Sequence, residues 1–263
     1  MFPLACQEQL LPGPDLMAKW EFATASGYDA IELRGKADLA LSRRLPELRR
    51  AAAAGVVMRT VCVDMAHFFG AFDAALRADA IAQLRAQLSV IAELGGVGVV
   101  TPASYGMFSR RLPPFEPPRS AAADREVLLS GLTELGEHAA ASGVTLFLEP
   151  LNRYEDHMVN RLEQAASLIE ETGLASVRIC ADTYHMNIEE DEPSAALLTW
   201  GRYVGHVQVS DSNRLQPGAG HLDWTGVLAA LTKLGYQGDL ALECRLRGEP
   251  ADAVASVPRF LAG

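Results

Sequence analysis

The sequence contains few cysteines, and it lacks the patterns that mark disulfide frameworks, thiolate metal sites and export. Its four cysteines are widely spaced within apolar runs, with no CxxC pair, so we expect buried free thiols of a cytoplasmic protein. No basic segment precedes an apolar core at the start of the sequence, so no signal peptide is expected. No apolar run approaches the roughly 18 residues of a membrane span.

Basic residues are also fewer than acidic ones. Lys and Arg together number 23 against 33 Asp and Glu, which gives a formal net charge of −10. Broad contact with nucleic acid or with an anionic membrane needs a basic face, so the charge disfavours both classes of partner. It is compatible with a small anionic substrate held by one or two arginines. The sequence leaves open whether the chain forms a homo-oligomer.

Apolar strands alternate with helical segments about eight times along the 263 residues, with no break in composition. The expected strands are Leu4–Leu11, Tyr28–Arg34, Val56–Val63, Val97–Val100, Val144–Leu148, Val177–Ala181, a run from Val204, and Leu240–Leu242. This alternation predicts an α/β fold, and eight such units predict a (β/α)8 barrel. A doubly wound open sheet is the alternative, which the lack of GxGxxG and Walker A motifs disfavours. The proline-rich segment 101–120 is predicted to be a lid or binding loop.

Polar side chains occupy the carboxyl ends of four consecutive predicted strands. Glu149, Asp182 and Glu243 follow apolar runs, and Gln208 lies in the seventh strand two residues after His206. Active sites of barrels form at these strand ends, so we expect the four side chains to converge. Buried like charges need a cation, and oxygen ligands suit hard ions, so the set predicts a Mn²⁺ or Mg²⁺ site. His206 is expected about 6–7 Å deeper and is the less favoured ligand.

Four motifs then carry a family resemblance. They are Glu149-Pro-Leu-Asn-Arg-Tyr-Glu155, Asp182-Thr-Tyr-His185, Ser210-Asp-Ser-Asn-Arg214 with the Gly/Pro loop to Trp224, and Glu243. In this order they resemble the xylose isomerase-like sugar phosphate isomerase/epimerase superfamily, in particular its ketose 3-epimerases and hydroxypyruvate isomerases. The resemblance spans all eight units and implies one TIM barrel domain over residues 1–263.

The resemblance implies a role for each matching residue. It implies metal ligation by Glu149, Asp182, Gln208 and Glu243, acid/base catalysis by Glu149 and Glu243, and substrate binding by His185, Arg214 and Glu155. Ketose epimerases usually carry a histidine at the place of Gln208, six residues before Arg214. Some relatives with glutamine there resemble 3-dehydroshikimate dehydratases, so the substitution leaves the substrate class open.

The implied reaction is divalent-metal-dependent isomerisation or epimerisation of a sugar or small hydroxy-carbonyl compound. A carboxylate removes a proton next to a carbonyl, and the metal stabilises the resulting enediolate. Loss of a β-hydroxyl would instead make the enzyme a dehydratase. A non-catalytic sugar-binding barrel is disfavoured because both glutamates are present. A DNA repair endonuclease is disfavoured by the acidic charge and by too few histidines in the motifs.

Several of these residues also have a structural interpretation. Arg214 is expected either to contact substrate or to pair with Asp211, and Glu155 either to bind substrate or to be a solvated charge. Glu32 is expected at the rim of the barrel, where it could touch a substrate hydroxyl. Asp223 is expected to cap the helix that follows it.

Overall fold

Eight parallel strands form a closed barrel in the computed structural model, which describes residues 2–107 and 116–262. The strands are β1 Leu4–Gln7, β2 Ala30–Lys36, β3 Met58–Asp64, β4 Gly98–Pro102, β5 Thr145–Glu149, β6 Val177–Asp182, β7 Val204–Val209 and β8 Leu240–Leu242. Each strand pairs in parallel with the next in sequence, and β8 pairs with β1. The predicted (β/α)8 barrel is therefore confirmed.

Helices alternate with these strands. Within the described ranges they are α1 Leu16–Ser26, α2 Ala40–Ala53, α3 Ala74–Glu93, α4 Ala121–Ser142, α5 Leu162–Thr172, α6 Thr183–Glu189, α7 Pro193–Trp200, α8 Trp224–Lys233 and α9 Pro250–Leu261, with a 3₁₀ turn at Gly201–Tyr203. In the part of the chain so described, no helix is both long and apolar enough to cross a bilayer. Residues 108–115 of the predicted lid lie outside the described residues.

Polar caps begin several helices where the sequence predicts them. The Asp15 side chain accepts a hydrogen bond from the Ala18 N–H at the start of α1, and Asp223 does the same for Gly226 in α8. Capping satisfies amide groups that have no partner inside the helix. Asp223 is therefore a structural cap, as expected.

Most strand bounds differ from the expectation by one or two residues, and two differences are larger. Strand β1 ends at Gln7 rather than Leu11, because the chain turns at residues 8–10. The short helix α6, which the sequence did not suggest, follows β6 directly. It forms because the Asp182 side chain accepts hydrogen bonds from the Tyr184 and His185 N–H groups, at 2.7 and 3.3 Å.

The barrel interior is built in layers. Ala5, Ala30 and Ala241 form one buried cluster, and Val100, Phe147 and Cys180 form another, with Cys62 packed against it. Side chains on a strand alternate between its two faces, so the residues two positions further on also point inward. Those positions are Gln7, Glu32, Glu243, Pro102, Glu149 and Asp182. A small, apolar layer therefore lies beneath a layer of carboxyl and amide groups.

The four cysteines are unpaired, as expected. Cys6 and Cys180 are buried, whereas Cys62 and Cys244 are partly exposed. The expectation that all four thiols are buried therefore holds for two of them.

Candidate active site

A cavity of about 490 Å³ opens at the carboxyl ends of the barrel strands. Glu149, Glu155, His185, Arg214 and Glu243 all line it. Five residues with predicted catalytic or binding roles therefore share one opening. This volume lies within the roughly 300–1,000 Å³ range of small-molecule sites.

Three carboxylates converge at this cavity, and two of them, Glu149 and Glu243, line it. Glu149 ends β5, Asp182 ends β6, and Glu243 follows β8. Glu149 and Asp182 are buried, and one oxygen of Glu243, Oε2, is buried without a hydrogen-bond partner among the described residues. Single ligand atoms of Glu149, Asp182 and His185 lie within 4.8 Å of one another. The convergence follows from the topology, because the carboxyl ends of all eight strands meet at one end of the barrel.

The carboxylates differ in their affinity for a proton. Burial, and then the negative charges of Glu243 and Asp182, raise the pKa of Glu149 well above its ordinary value. Burial raises the pKa of Glu243 to about 7, although Arg214 opposes the shift. Burial alone would raise the pKa of Asp182, but the charges of Arg214 and His185 and the hydrogen bonds from both residues together lower that pKa. The cluster therefore combines one firmly ionised carboxylate with two that hold protons readily.

Arg214 bridges two of the carboxylates. Its guanidinium donates to Asp182 Oδ2 at 2.5 Å and lies 3.2 Å from Glu243 Oε1. Its backbone has a φ of +61°, an uncommon conformation for a residue other than glycine. The alternative of a side-chain ion pair with Asp211 is wrong, because Asp211 accepts from the Gly218 N–H and from the indole of Trp224 instead.

His185 presents a fixed tautomer to the cavity. Its Nδ1 accepts hydrogen bonds from the backbone N–H of Asn152 at 3.0 Å and from the Asn152 side-chain amide at 2.9 Å. Burial lowers the pKa of His185 to about 4, so the ring is neutral near pH 7. The single proton of the neutral ring therefore resides on Nε2, which lies 3.5 Å from Glu149 Oε1. A protonated nitrogen donates to a substrate oxygen but offers no lone pair to a metal.

Glu155 lies at the cavity wall. Its carboxylate is 3.9 Å from His185 Nε2 and is about one-third exposed, at 32%. The neighbouring Arg153 forms its ion pair with Glu189 at 2.8 Å. The position of Glu155 therefore suits contact with a bound molecule.

Gln208 lies immediately below the carboxylates. It is opposite Asp182 in the register of β6 and β7 and is fully buried. Its Nε2 donates to Glu32 Oε1 at 2.9 Å, and its Oε1 accepts a weak hydrogen bond from Cys180 Sγ at 3.2 Å. A carboxylate and an amide oxygen are both hydrogen-bond acceptors. The NH₂ group of Gln208 must therefore face Glu32, and its amide oxygen must point away.

The sequence did not reveal that Glu32 is the centre of a buried hydrogen-bond network. The expectation of a rim position is wrong, because β2 continues to Lys36 and Glu32 is fully buried in mid-strand. Besides Gln208, its carboxylate accepts hydrogen bonds from three further side chains: Gln7 at 3.0 Å, Thr60 at 2.8 Å and His206 at 2.8 Å. His206 is thereby a buried structural partner of Glu32, as expected.

A closed parallel barrel with buried carboxylates at the carboxyl ends of its strands defines the class of βα-barrel enzymes. The family model described as Xylose isomerase-like TIM barrel matches residues 20–262. A 3-dehydro-D-guloside 4-epimerase from Escherichia coli (strain K12) is 38% identical over 252 residues, which are 95% of each chain. The chain therefore belongs to the xylose isomerase-like TIM barrel family, and it is an enzyme of the isomerase/epimerase type.

Other comparisons agree with this assignment. The crystal structure of a 3-keto-D-glucoside 4-epimerase from E. coli superposes with a TM-score of 0.93 at 35% identity, covering 100% of this chain and 99% of that one. An L-ribulose 3-epimerase from Mesorhizobium japonicum is 33% identical over 173 residues, which cover 65% of this chain and 56% of that protein.

Proposed function

We propose that the protein is a divalent-metal-dependent epimerase that inverts the carbon next to the carbonyl of a keto sugar, and that this sugar is part of a glycoside. The observation that carries the proposal is the convergence at one cavity of Glu149, which is buried, and Glu243, which has one buried oxygen without a partner among the described residues. The glycoside is favoured by the 4-epimerase relative, which aligns over 95% of both chains. The L-ribulose 3-epimerase cited above aligns over a smaller part of its own length.

The two glutamates are well arranged for removing and returning a proton on opposite faces of one carbon. They belong to β5 and β8, three steps apart around an eight-stranded barrel, so they approach the cavity from different walls. A carboxylate with a raised pKa is a stronger base than an ordinary one and a usable acid near neutral pH. One glutamate removes the proton from one face, and the other, already protonated from solvent, delivers a different proton to the opposite face, which inverts the carbon.

The residues present fit a hard divalent cation such as Mn²⁺ or Mg²⁺. Three carboxylates converge, one buried oxygen of Glu243 has no partner among the described residues, and Gln208 contributes an amide oxygen one strand from Asp182. Glu149, Asp182, Gln208 and Glu243 would hold the ion. When bound, it would polarise the substrate carbonyl and stabilise negative charge that develops on its oxygen.

Three other side chains are proposed to bind substrate oxygens. The Nε2–H of His185 is a donor aimed into the cavity, and the guanidinium of Arg214 adds charged donors. The Glu155 carboxylate is an acceptor for a sugar hydroxyl. Because a cation would compete with Arg214 for Asp182 and Glu243, metal binding would leave this arginine more available to the substrate.

The experiment supplies chelator-treated protein with Mn²⁺ and a panel of 3-keto glycosides and free ketohexoses. Product is followed by NMR for the inverted carbon and by ultraviolet absorbance for a conjugated product. We expect the C4 epimer of a 3-keto glycoside, with loss of at least about 100-fold in Glu149→Gln. The exposed Glu126→Gln on α4 is the matched control. Full turnover by Glu149→Gln would refute the proposal, and a conjugated product would assign the dehydratase reaction instead.

A further inference from the structure

We propose that a second cavity, above β1 and β2, binds the second group of the glycoside substrate, such as a second sugar ring. The inference rests on the proposed function and extends it by assigning the non-reacting part of the substrate to particular residues. The cavity has a volume of about 280 Å³. Its polar lining consists of Glu8, Gln9, Lys19, Arg34, Lys36 and Arg44.

The second cavity adjoins the active-site cavity. Gln9 lines both of them, and its side chain donates to Gln7 Oε1 at 2.6 Å. Arg34 lines the second cavity, and its Nε lies 2.7 Å from Oδ2 of Asp64, which lines the first. A molecule bound next to Glu149 and Glu243 can therefore extend past Gln9 and the Arg34–Asp64 pair into the second cavity.

The chemistry of the lining suits a ring rich in oxygen atoms. Four of its residues are cationic and one is acidic, in a chain whose net charge is −10. Lys36 is exposed, and Arg34 is half-buried with its Nε beside Asp64. Hydroxyl and ring oxygens would accept from these donors. Ala40 and Leu41 supply a small apolar surface for the C–H face of a sugar ring.

A buried ion pair between Glu8 and Arg44 fixes one wall of the second cavity. Glu8 is buried, and it accepts from both terminal nitrogens of Arg44 at 2.9 and 2.7 Å. Fork-like pairing of this kind fixes the geometry of both side chains. One side of the cavity is therefore bounded by positioned groups, whereas Lys36 on its lining is exposed. Its volume lies just below the roughly 300 Å³ lower limit for drug-sized sites, which suits one ring.

The test compares a 3-keto glycoside that carries a second sugar ring with the corresponding free 3-keto sugar. Ala40→Trp fills the second cavity, and Lys36→Ala removes its exposed cation. We expect each variant to raise KM for the glycoside about tenfold, the equivalent of one lost hydrogen bond or contact surface. The kcat/KM for the free sugar should remain at the wild-type value. Lys233→Ala, an exposed lysine at the end of α8, is the control.

An equal rise in KM for both substrates, or no rise for either, would overturn the inference. Failure of the proposed function is a separate outcome, in which the wild-type protein turns over neither compound. In that case, calorimetry with the unoxidised disaccharide and its monosaccharide still tests the second cavity. Tighter binding of the disaccharide that Ala40→Trp abolishes would support the cavity, and equal affinities would overturn it.

Discussion

Replacement of Glu32 by glutamine should weaken metal binding from a position that does not reach the cavity. The Glu32 carboxylate accepts four side-chain hydrogen bonds, whereas the single oxygen of a glutamine accepts two at most. Glu32→Gln also introduces an NH₂ group that faces the side chains which donate to the carboxylate. His206 then loses its buried acceptor. A buried donor left without its acceptor typically costs about 1–3 kcal/mol of unfolding free energy. The amide of Gln208, one of the proposed ligands, then loses the acceptor that fixes its orientation.

The assay measures Mn²⁺ affinity by calorimetry and unfolding by denaturant. We expect Glu32→Gln to lose about 10- to 100-fold in Mn²⁺ affinity, the usual effect of losing a residue that orients a ligand. Thr60→Val is the matched control, since it removes one donor, leaves the carboxylate and should cost about 1 kcal/mol. Should Glu32→Gln fail to fold, His206→Gln keeps the carboxylate and tests the same network. Unchanged Mn²⁺ affinity in a folded Glu32→Gln protein would refute the positioning role.

Three further predictions concern the cavity itself. Glu243→Gln should lower kcat by about 100- to 10,000-fold, measured as epimer formation, and activity within twofold of wild type would exclude an acid/base role. Glu243 has a pKa raised to about 7, so its contribution to folding is present below about pH 4.5 and lost as the pH rises through 7. Mn²⁺ should therefore raise Tm more at pH 8 than at pH 5.5, and an equal rise would contradict this. Asn152→Leu should raise KM, because the His185 ring loses a hydrogen bond that orients it, and Mn²⁺ affinity should not change. A change in Mn²⁺ affinity without a change in KM would identify His185 as a metal ligand.

The sequence was sufficient for the barrel and for most of the cavity. Strand and helix periodicity are local signals, and the ends of most strands, though not of β1, can be read within a residue or two. Once the topology is a barrel, the carboxyl ends of all strands meet, so Glu149, Asp182 and Glu243 had to converge. The buried position of His206 followed from strand alternation alone.

The hydrogen-bond network around Glu32 could not be predicted in this way. Its partners come from β1, β3 and β7, and His206 is 174 residues away in sequence. Which donors reach a carboxylate depends on barrel stagger and side-chain rotamers, neither of which leaves a local pattern. The same reason explains why the pairing of Arg214 was not predicted. Its partner Asp182 is 32 residues away, although Asp211 is closer in sequence. Local pairing rules predict neighbours along the chain, whereas buried charges pair across the barrel.

The most direct test of the account is solvent proton exchange during turnover. Wild-type protein with Mn²⁺ and a 3-keto glycoside is incubated in D₂O, and both epimers are analysed by NMR and mass spectrometry. If Glu149 and Glu243 remove and return the proton, the inverted product carries one deuterium at the inverted carbon, and Glu149→Gln forms none. Inversion without deuterium at that carbon, or deuterated product from Glu149→Gln at the wild-type rate, would contradict the account.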